Sequence, residues 1–140
     1  SGELLPPILI GAGRLCTAVS SFISRDTHGY RLLAAFDINP ELIGRQMAGV
    51  PIHALDDLEP FCAAHKPVVA VLCVPRQSAI DLSDELVRLG IQGFWNFSHY
   101  DLSVKYPEVT VENVHLGDSL MSLGYRLRER TEADEAARPR

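Results

Sequence analysis

Residues 8–19 read Ile-Leu-Ile-Gly-Ala-Gly-Arg-Leu-Cys-Thr-Ala-Val, a short apolar run that leads into two glycines and then into a helical pattern. This order is typical of the strand, tight turn and helix start of a dinucleotide-binding βαβ unit. Gly11 permits the turn, and Gly13 lets the backbone approach a pyrophosphate at the helix N-terminus. Cys16 stands where the motif G-x-G-x-x-G has its third glycine, and it is small enough for helix–strand packing. A two-glycine loop before any helix shows the same residues, so this motif alone leaves both interpretations open.

Asp37 ends a second apolar strand, which the sequence predicts over residues 31–37. It follows Gly11 by 26 positions, near the spacing at which an acid reaches the ribose of a dinucleotide. A carboxylate there accepts hydrogen bonds from the ribose hydroxyls and repels a 2′-phosphate, which favours NAD over NADP. The alternative is that Asp37 caps the turn that begins at Asn39.

The composition is that of one soluble globular domain, with 140 residues of which 46% are hydrophobic and 22% are charged. A net charge of −5 argues against broad nucleic-acid binding, because phosphate neutralisation needs clustered Lys and Arg. The three cysteines form no Cys-x-x-Cys pair, so no disulfide framework and no metal site are predicted. No apolar run reaches the length of a membrane span and no signal peptide is visible, so we expect a cytoplasmic protein without a membrane partner.

Strands and helices alternate along the chain, which predicts an α/β fold with a doubly wound, mostly parallel sheet of the Rossmann type. The apolar run over 68–74 indicates a strand buried on both faces. The other predicted elements are helices over 14–24, 77–89 and 117–130, and strands over 50–53, 93–97 and 109–114. A further helix, capped by Asp56 or Asp57 and stopped by Pro67, is predicted to carry Leu58, Phe61, Cys62 and His65. Leucines at 116, 120, 123 and 127 form an apolar stripe on the last helix.

Ligands of such sheets lie beyond the carboxyl ends of the strands. We therefore expect the cofactor to contact Gly11, Gly13, Arg14, Leu15, Asp37, Ile38, Cys73, Val74, Pro75, Asn96 and Phe97. Ile38 either flanks an adenine or belongs to the core. Asn96 either donates to the nicotinamide or its ribose, or shapes the turn after its strand.

No catalytic residue is predicted. A dehydrogenase needs a proton donor beside the nicotinamide, and His99 and His115 are the only candidates, although a lone histidine is more often structural. Cys73 fits a core thiol better than a nucleophile, because no base is evident near it. The chain also leaves no room for a separate substrate domain, so we do not expect an independent enzyme.

An ordered set of segments resembles the sensor domain of the Rex family of bacterial redox-sensing transcriptional repressors. The resemblance covers roughly residues 8–128 and rests on Gly11-Ala12-Gly13-Arg14-Leu15, Ala35-Phe36-Asp37-Ile38-Asn39-Pro40, Gly49-Val50-Pro51-Ile52, Val74-Pro75-Arg76, Gly90-Ile91-Gln92-Gly93, Asn96-Phe97 and Val111-Glu112-Asn113-Val114. The first segment is generic to dinucleotide binders, whereas the ordered set is specific.

The resemblance implies a domain that binds NADH and NAD⁺ competitively and does no chemistry on them. It also implies a homodimer that exchanges its last helix, and DNA binding only through a winged-helix domain absent from these residues. The resulting organisation is a lead-in over 1–7, a dinucleotide-binding domain over 8–114, a dimerisation helix over 115–131 and a disordered tail over 132–140. His115 stands where the family has an Asp of its redox-dependent charge network, so we count it as a site residue.

Other departures from the family are Cys16 for Gly, Cys73 near a usual Thr, and Ser98-His99 for Ala-Pro. Two further interpretations stay open. A small nucleotide-binding enzyme or subunit of the related CoA-binding class would hold an ADP moiety on the same loop, although Asp37 would oppose the 3′-phosphate of CoA. A degenerate Rossmann domain would serve only for dimerisation.

Overall fold

A seven-stranded sheet forms the centre of the computed structural model, which describes residues 5–26 and 31–139. Its strands are β1 (Ile8–Ile10), β2 (Ala34–Asp37), β3 (Gln46–Met47), β4 (Val50–Ala54), β5 (Val69–Leu72), β6 (Gly93–Asn96) and β7 (Thr110–Asn113). Their order across the sheet is β3-β4-β2-β1-β5-β6-β7, and only β3 runs antiparallel to its neighbour. The strand order reverses between β1 and β5, which confirms the predicted doubly wound α/β fold.

The helices are α1 (Arg14–Asp26), α2 (Leu58–His65), α3 (Arg76–Arg88), α4 (Leu102–Lys105) and α5 (Leu116–Ala136), with a 3₁₀ turn over Leu55–Asp57. In the part of the chain described, no helix is both long enough and apolar enough to cross a membrane.

Besides small shifts at the ends of several elements, two short elements and the start of β2 differ from the prediction. Strand β2 begins at Ala34 rather than at 31, because Leu33 lies opposite Pro7, which accepts the Leu33 N–H at 2.8 Å but has no N–H to return. Strand β3 pairs with β4 through a tight turn in which Ala48 and Gly49 both have positive φ. Its turn residues are not the usual Asn-Gly or Asp-Gly pair, so no local pattern predicted a hairpin. The single-turn α4 was not predicted.

The last helix is longer than predicted. Helix α5 continues to Ala136, whereas the sequence predicted its end near Arg130 and a disordered tail over 132–140. The additional residues, Thr-Glu-Ala-Asp-Glu-Ala, include good helix formers, and no proline or glycine interrupts them before Pro139. The predicted tail was wrong as far as Ala136 because charge alone does not break a helix. Residues 1–4 of the predicted lead-in lie outside the described residues.

The two faces of the sheet are covered unequally. Helices α2, α3 and α4 pack on one face, here called the closed face, around Ile8, Ile10, Phe36, Leu72 and Phe94. Helix α1 packs on the opposite face, here called the half-open face, against Leu9, Ala35 and Val71. Over β5, β6 and β7 the half-open face carries a recess of about 400 Å³, lined in part by Val69, Val71 and Trp95.

Helix α5 has no buried side chain among those described. It is 21 residues long, or about 30 Å at 1.5 Å per residue. Its exposed apolar residues are Leu116, Leu120, Met121, Leu123, Tyr125 and Leu127. The apolar stripe predicted on this helix is therefore real, and within this chain it faces solvent.

Candidate functional site

The carboxyl ends of five parallel strands bring the predicted site residues to one edge of the sheet. Backbone hydrogen bonds continue one residue past the strands: Gly11 N donates to Phe36 O at 2.8 Å, and Cys73 N donates to Ile10 O at 3.0 Å. Phe97 N likewise donates to Leu72 O at 2.9 Å. The edge therefore presents a rigid backbone from which the turns project.

Gly11 and Gly13 have different surroundings. Gly11 has a φ of +115°, and a Cβ there would lie 2.7 Å from the Cys73 carbonyl oxygen, so only glycine fits. A Cβ on Gly13 would meet no heavy atom within 4 Å, and the residue is exposed. Gly13 immediately precedes α1, whose first N–H groups lack partners within the helix and favour an anion. Open space and a site for negative charge thus coincide at Gly13.

Asp37 ties the end of β2 to the glycine turn. Its Oδ2 accepts a hydrogen bond from Ala12 N at 2.7 Å, and its Oδ1 accepts one from Asn39 N at 2.7 Å. The carboxylate therefore caps its own turn, as the simpler interpretation held, and also orients the glycine loop. Each carboxylate oxygen can accept a second hydrogen bond, so the group still fits the two hydroxyls of a ribose.

The remaining predicted residues after β1 and β2 face solvent. The Ile38 side chain is 75% exposed, so the alternative that it belongs to the core is wrong. Arg14 and Leu15 are also exposed, at the start of α1. An apolar side chain presented to solvent beside the Asp37 carboxylate suits contact with a flat base.

The end of β5 forms the neighbouring part of the edge. Cys73 and Val74 are half-buried, and Pro75 is exposed. Pro75 precedes the first residue of α3, and its carbonyl accepts the Ala79 N–H at 3.0 Å. These residues place a short apolar wall beside the glycine turn.

Asn96 is 1% exposed and its amide is fully engaged. Its Nδ2 donates to Tyr100 O at 2.6 Å and to Asn113 Oδ1 at 2.9 Å, and its Oδ1 accepts from Ser98 N at 3.0 Å and Ser98 Oγ at 2.5 Å. A hydrogen bond from Asn96 to a nicotinamide would require one of these bonds to break. In this conformation Asn96 shapes the loop after β6.

Ser98 and Asn113 belong to this network, and the sequence analysis did not assign them to the site. The pattern Asn96-Phe97-Ser98 carries a usable signal, because an Asn side chain that accepts from the N–H two residues on is an Asx turn. Asn113 is adjacent only through the pairing of β6 with β7, which a local pattern does not reveal.

His115 lies at the same edge, directly before α5 and exposed. Its ring centroid is 5.6 Å from that of His99. Val114 N donates to Asn96 O at 2.8 Å, which ties this segment to the loop after β6. Phe97 is half-buried, with its ring edge-on to Trp95 at 4.9 Å between centroids. Among the described residues, no three His, Cys, Asp or Glu side chains gather as metal ligands.

Cys16 and Cys73 meet below the glycine turn, where Cys16 Sγ donates to the Cys73 carbonyl oxygen at 3.1 Å. The neighbouring Cys73 side chain lowers the pKa of Cys16, although burial opposes this shift. The same contact, together with burial, raises the pKa of Cys73.

The sequence of residues 6–100 matches the model of the CoA binding domain family. The redox-sensing transcriptional repressor Rex of Thermoanaerobacter sp. (strain X514) is 43% identical over 122 residues, an alignment that covers 87% of this chain and 54% of that protein. The chain thus spans about half the length of the curated relatives it matches.

Two solved structures extend the similarity to the fold. A crystal structure of RSP in complex with beta-NADH superposes with a TM-score of 0.80 at 39% identity, covering 94% of this chain and 63% of that one. RSP in complex with beta-NAD⁺ and operator DNA gives a TM-score of 0.81 at 39% identity, covering 94% and 60%. RSP is itself a Rex-family repressor.

Proposed function

Since the chain belongs to the CoA-binding domain family and is similar in sequence and fold to Rex-family repressors, we propose that it is the C-terminal, NAD(H)-sensing and dimerising part of such a repressor. NADH and NAD⁺ compete for the edge described above and are not chemically changed there. Occupancy controls DNA binding, in the cytoplasm, by a winged-helix domain outside these 140 residues.

The observation that carries this proposal is the pairing of Asp37 with the glycine turn. The carboxylate holds Ala12 N at 2.7 Å, which orients the loop whose next residue, Gly13, has open space above it. A diphosphate fits at Gly13, on the N-terminus of α1, and an adenosine ribose fits beside the carboxylate. The exposed Ile38 lies next to that carboxylate and suits the adenine. We assign the twelve predicted residues to this site on that basis, with Asn96 acting through the loop it holds.

The dimer proposal rests on two apolar surfaces that residues 5–26 and 31–139 leave uncovered. One is the leucine stripe of α5, and the other is the recess beside Trp95 on the half-open face. An exposed stripe and an unfilled recess on the same chain favour insertion of α5 from a second copy. His115 immediately precedes α5, so the exchanged helix begins at the nucleotide edge and its position depends on what occupies that edge.

Nucleotide titration tests the proposal, with the single tryptophan, Trp95, as the fluorescence donor to bound NADH. We expect NADH to bind more tightly than NADPH, because Asp37 repels a 2′-phosphate. Asp37→Ala is expected to weaken NADH binding about tenfold or more, the equivalent of one lost charge-assisted hydrogen bond. It is also expected to reduce the ratio of NADH affinity to NADPH affinity. Asp57→Ala is the control, because Asp57 is exposed and makes no capping hydrogen bond.

Gly13→Ala separates binding from folding. The added methyl enters open space, so the free energy of unfolding is expected to change by less than about 1 kcal/mol, the scale of a helix-cap exchange. The affinity for NADH is expected to fall. Binding of CoA without NADH would overturn the proposal in favour of the CoA-binding interpretation. Failure to bind any of NADH, NAD⁺, NADPH and CoA would leave a dimerisation module.

A further inference from the structure

Cys16 and Cys73 lie in contact although 57 positions separate them. Because Ile10 pairs with Leu72, the next residues, Gly11 and Cys73, lie side by side where β1 and β5 end. Cys16 reaches this place from the first turn of α1: a Cβ on Gly11 would lie 2.8 Å from Cys16 Sγ. The Cys16 thiol donates to the Cys73 carbonyl oxygen at 3.1 Å, and Cys73 packs against the core cluster that contains Cys16. Two sequence-distant cysteines that pack together on one face of the sheet meet the first requirement for a disulfide, which is proximity.

We propose that Cys16 and Cys73 are a redox-active thiol pair that a hydroperoxide converts into an intramolecular disulfide. The Cys16 thiolate attacks one oxygen of hydrogen peroxide, the O–O bond breaks, and hydroxide leaves and takes up a proton as water. The resulting sulfenic acid is attacked by the Cys73 sulfur, the S–O bond breaks and the S–S bond forms. The second water carries away the Cys73 proton. Two thiols and one peroxide thus give one disulfide and two waters, and two electrons pass from sulfur to oxygen.

The surroundings of the pair favour this chemistry over that of an ordinary core thiol. Cys16 lies in the first turn of α1, where the helix dipole stabilises an anion, and the Cys73 thiol lowers its pKa. The thiolate is the reactive form of cysteine. Cys73 is only half-buried, which gives a small oxidant a route to the pair. Cys62, on the closed face, is buried, and that burial raises its pKa.

The disulfide would join the first turn of α1 to the end of β5, two sides of the edge assigned to the nucleotide. Fixing that turn alters the position of the Gly13 backbone. We therefore expect oxidation to weaken NADH binding about fivefold or more, the lower range of coupling between sites. This second step rests on the proposed function, whereas disulfide formation does not.

The first experiment treats the chain with hydrogen peroxide, blocks free thiols with an alkylating agent under denaturing conditions, and maps the peptides by mass spectrometry. We expect loss of two of the three thiols, a Cys16–Cys73 cross-link within one chain, and an alkylated Cys62. Cys62→Ala is expected to retain the cross-link. Three free thiols after treatment, or a cross-link that includes Cys62, would overturn the proposal.

Two variants test the order of the steps and the link to the nucleotide. Cys73→Ser removes the resolving thiol, so dimedone is expected to trap a sulfenic acid on Cys16, and its absence would contradict the assigned order. Peroxide-treated and reduced chains are then titrated with NADH. The control is peroxide-treated Cys16→Ser, which cannot form the Cys16–Cys73 disulfide. Equal affinities would remove the regulatory role. Absence of NADH binding in the reduced chain would instead count against the proposed function and leave the cross-link result standing.

Discussion

The two faces of the sheet show which part of the fold this chain completes by itself. On the closed face, α2, α3 and α4 cover five strands, and Phe36, Leu72 and Leu86 are fully buried. On the half-open face, α1 covers the sheet only in part, and a recess remains over β5, β6 and β7. Helix α5, which carries an apolar stripe long enough to fill such a recess, covers neither face. We therefore expect substitutions in the closed face to change the stability of the single chain, and substitutions on α5 or in the half-open face to change the proposed dimer.

The largest effect is expected from a cavity in the closed face. Phe36 is 0% exposed and its ring packs edge-on against Phe61 at 5.3 Å between centroids. Phe36→Ala should lower the free energy of unfolding by about 3–5 kcal/mol, measured by urea denaturation. The loss should be equal at two protein concentrations, because helices of the same chain cover this face. Val104→Ala, at an exposed position of α4, is the control and should change the value by less than about 0.5 kcal/mol. A loss of stability that depends on protein concentration would contradict the distinction between the closed face and the half-open face.

The second effect is expected on assembly rather than on folding. Leu123 lies on the stripe of α5 and is exposed in the single chain. Leu123→Asp places a charge where we propose apolar burial in a dimer. The dissociation constant of the dimer should therefore rise at least about a hundredfold, which corresponds to roughly 2.7 kcal/mol. Light scattering and analytical ultracentrifugation measure it, with Trp95 fluorescence as a local readout. Glu132→Ala, on the opposite side of α5, should leave the dimer intact. An unaltered chain that stays monomeric at micromolar concentration would contradict helix exchange.

The local sequence was sufficient for most of the fold. Strands β1, β5 and β6 and helices α1 and α3 follow from apolar runs and helical periodicity, because each buries a continuous face. The sequence failed where structure depends on a distant partner. Strand β2 starts late because Pro7 lies opposite Leu33, and the hairpin of β3 and β4 turns at Ala48-Gly49 without the usual residues.

The candidate site shows the same division. The spacing of Gly11, Gly13 and Asp37 predicted their common location, because topology fixes where β1 and β2 end. The hydrogen bond from Ala12 N to Asp37, the bond from Asn96 to Asn113 and the Cys16–Cys73 contact were not predictable. Each of these contacts depends on how side chains are placed between segments that are far apart in the sequence. Assignment of these residues to a nucleotide stays a prediction until binding is measured.

The smallest effect is expected at the rim of the closed face, where Asp84 on α3 joins α4. Its carboxylate accepts a hydrogen bond from the Tyr106 hydroxyl and pairs with Lys105 Nζ at 3.2 Å. These two partners, the tyrosine first, lower the pKa of Asp84. Because the folded-state pKa is the lower one, the stabilisation is present above the ordinary carboxyl pKa of about 3.9 and is lost as the pH falls below it. The pair is exposed, so salt and solvent weaken it.

Asp84→Asn should therefore lower the urea midpoint slightly at pH 7 and by less at about pH 3, because the stabilisation is lost as the pH falls through the lowered pKa of the native carboxyl. Asp56→Asn, on the exposed 3₁₀ turn, is the matched control at both pH values. High salt should reduce the difference at pH 7, because exposed charges are screened. A difference that persists at low pH would mean that Asp84 acts through packing rather than charge. The contact between α3 and α4 would then belong to the core of the closed face and not to its rim.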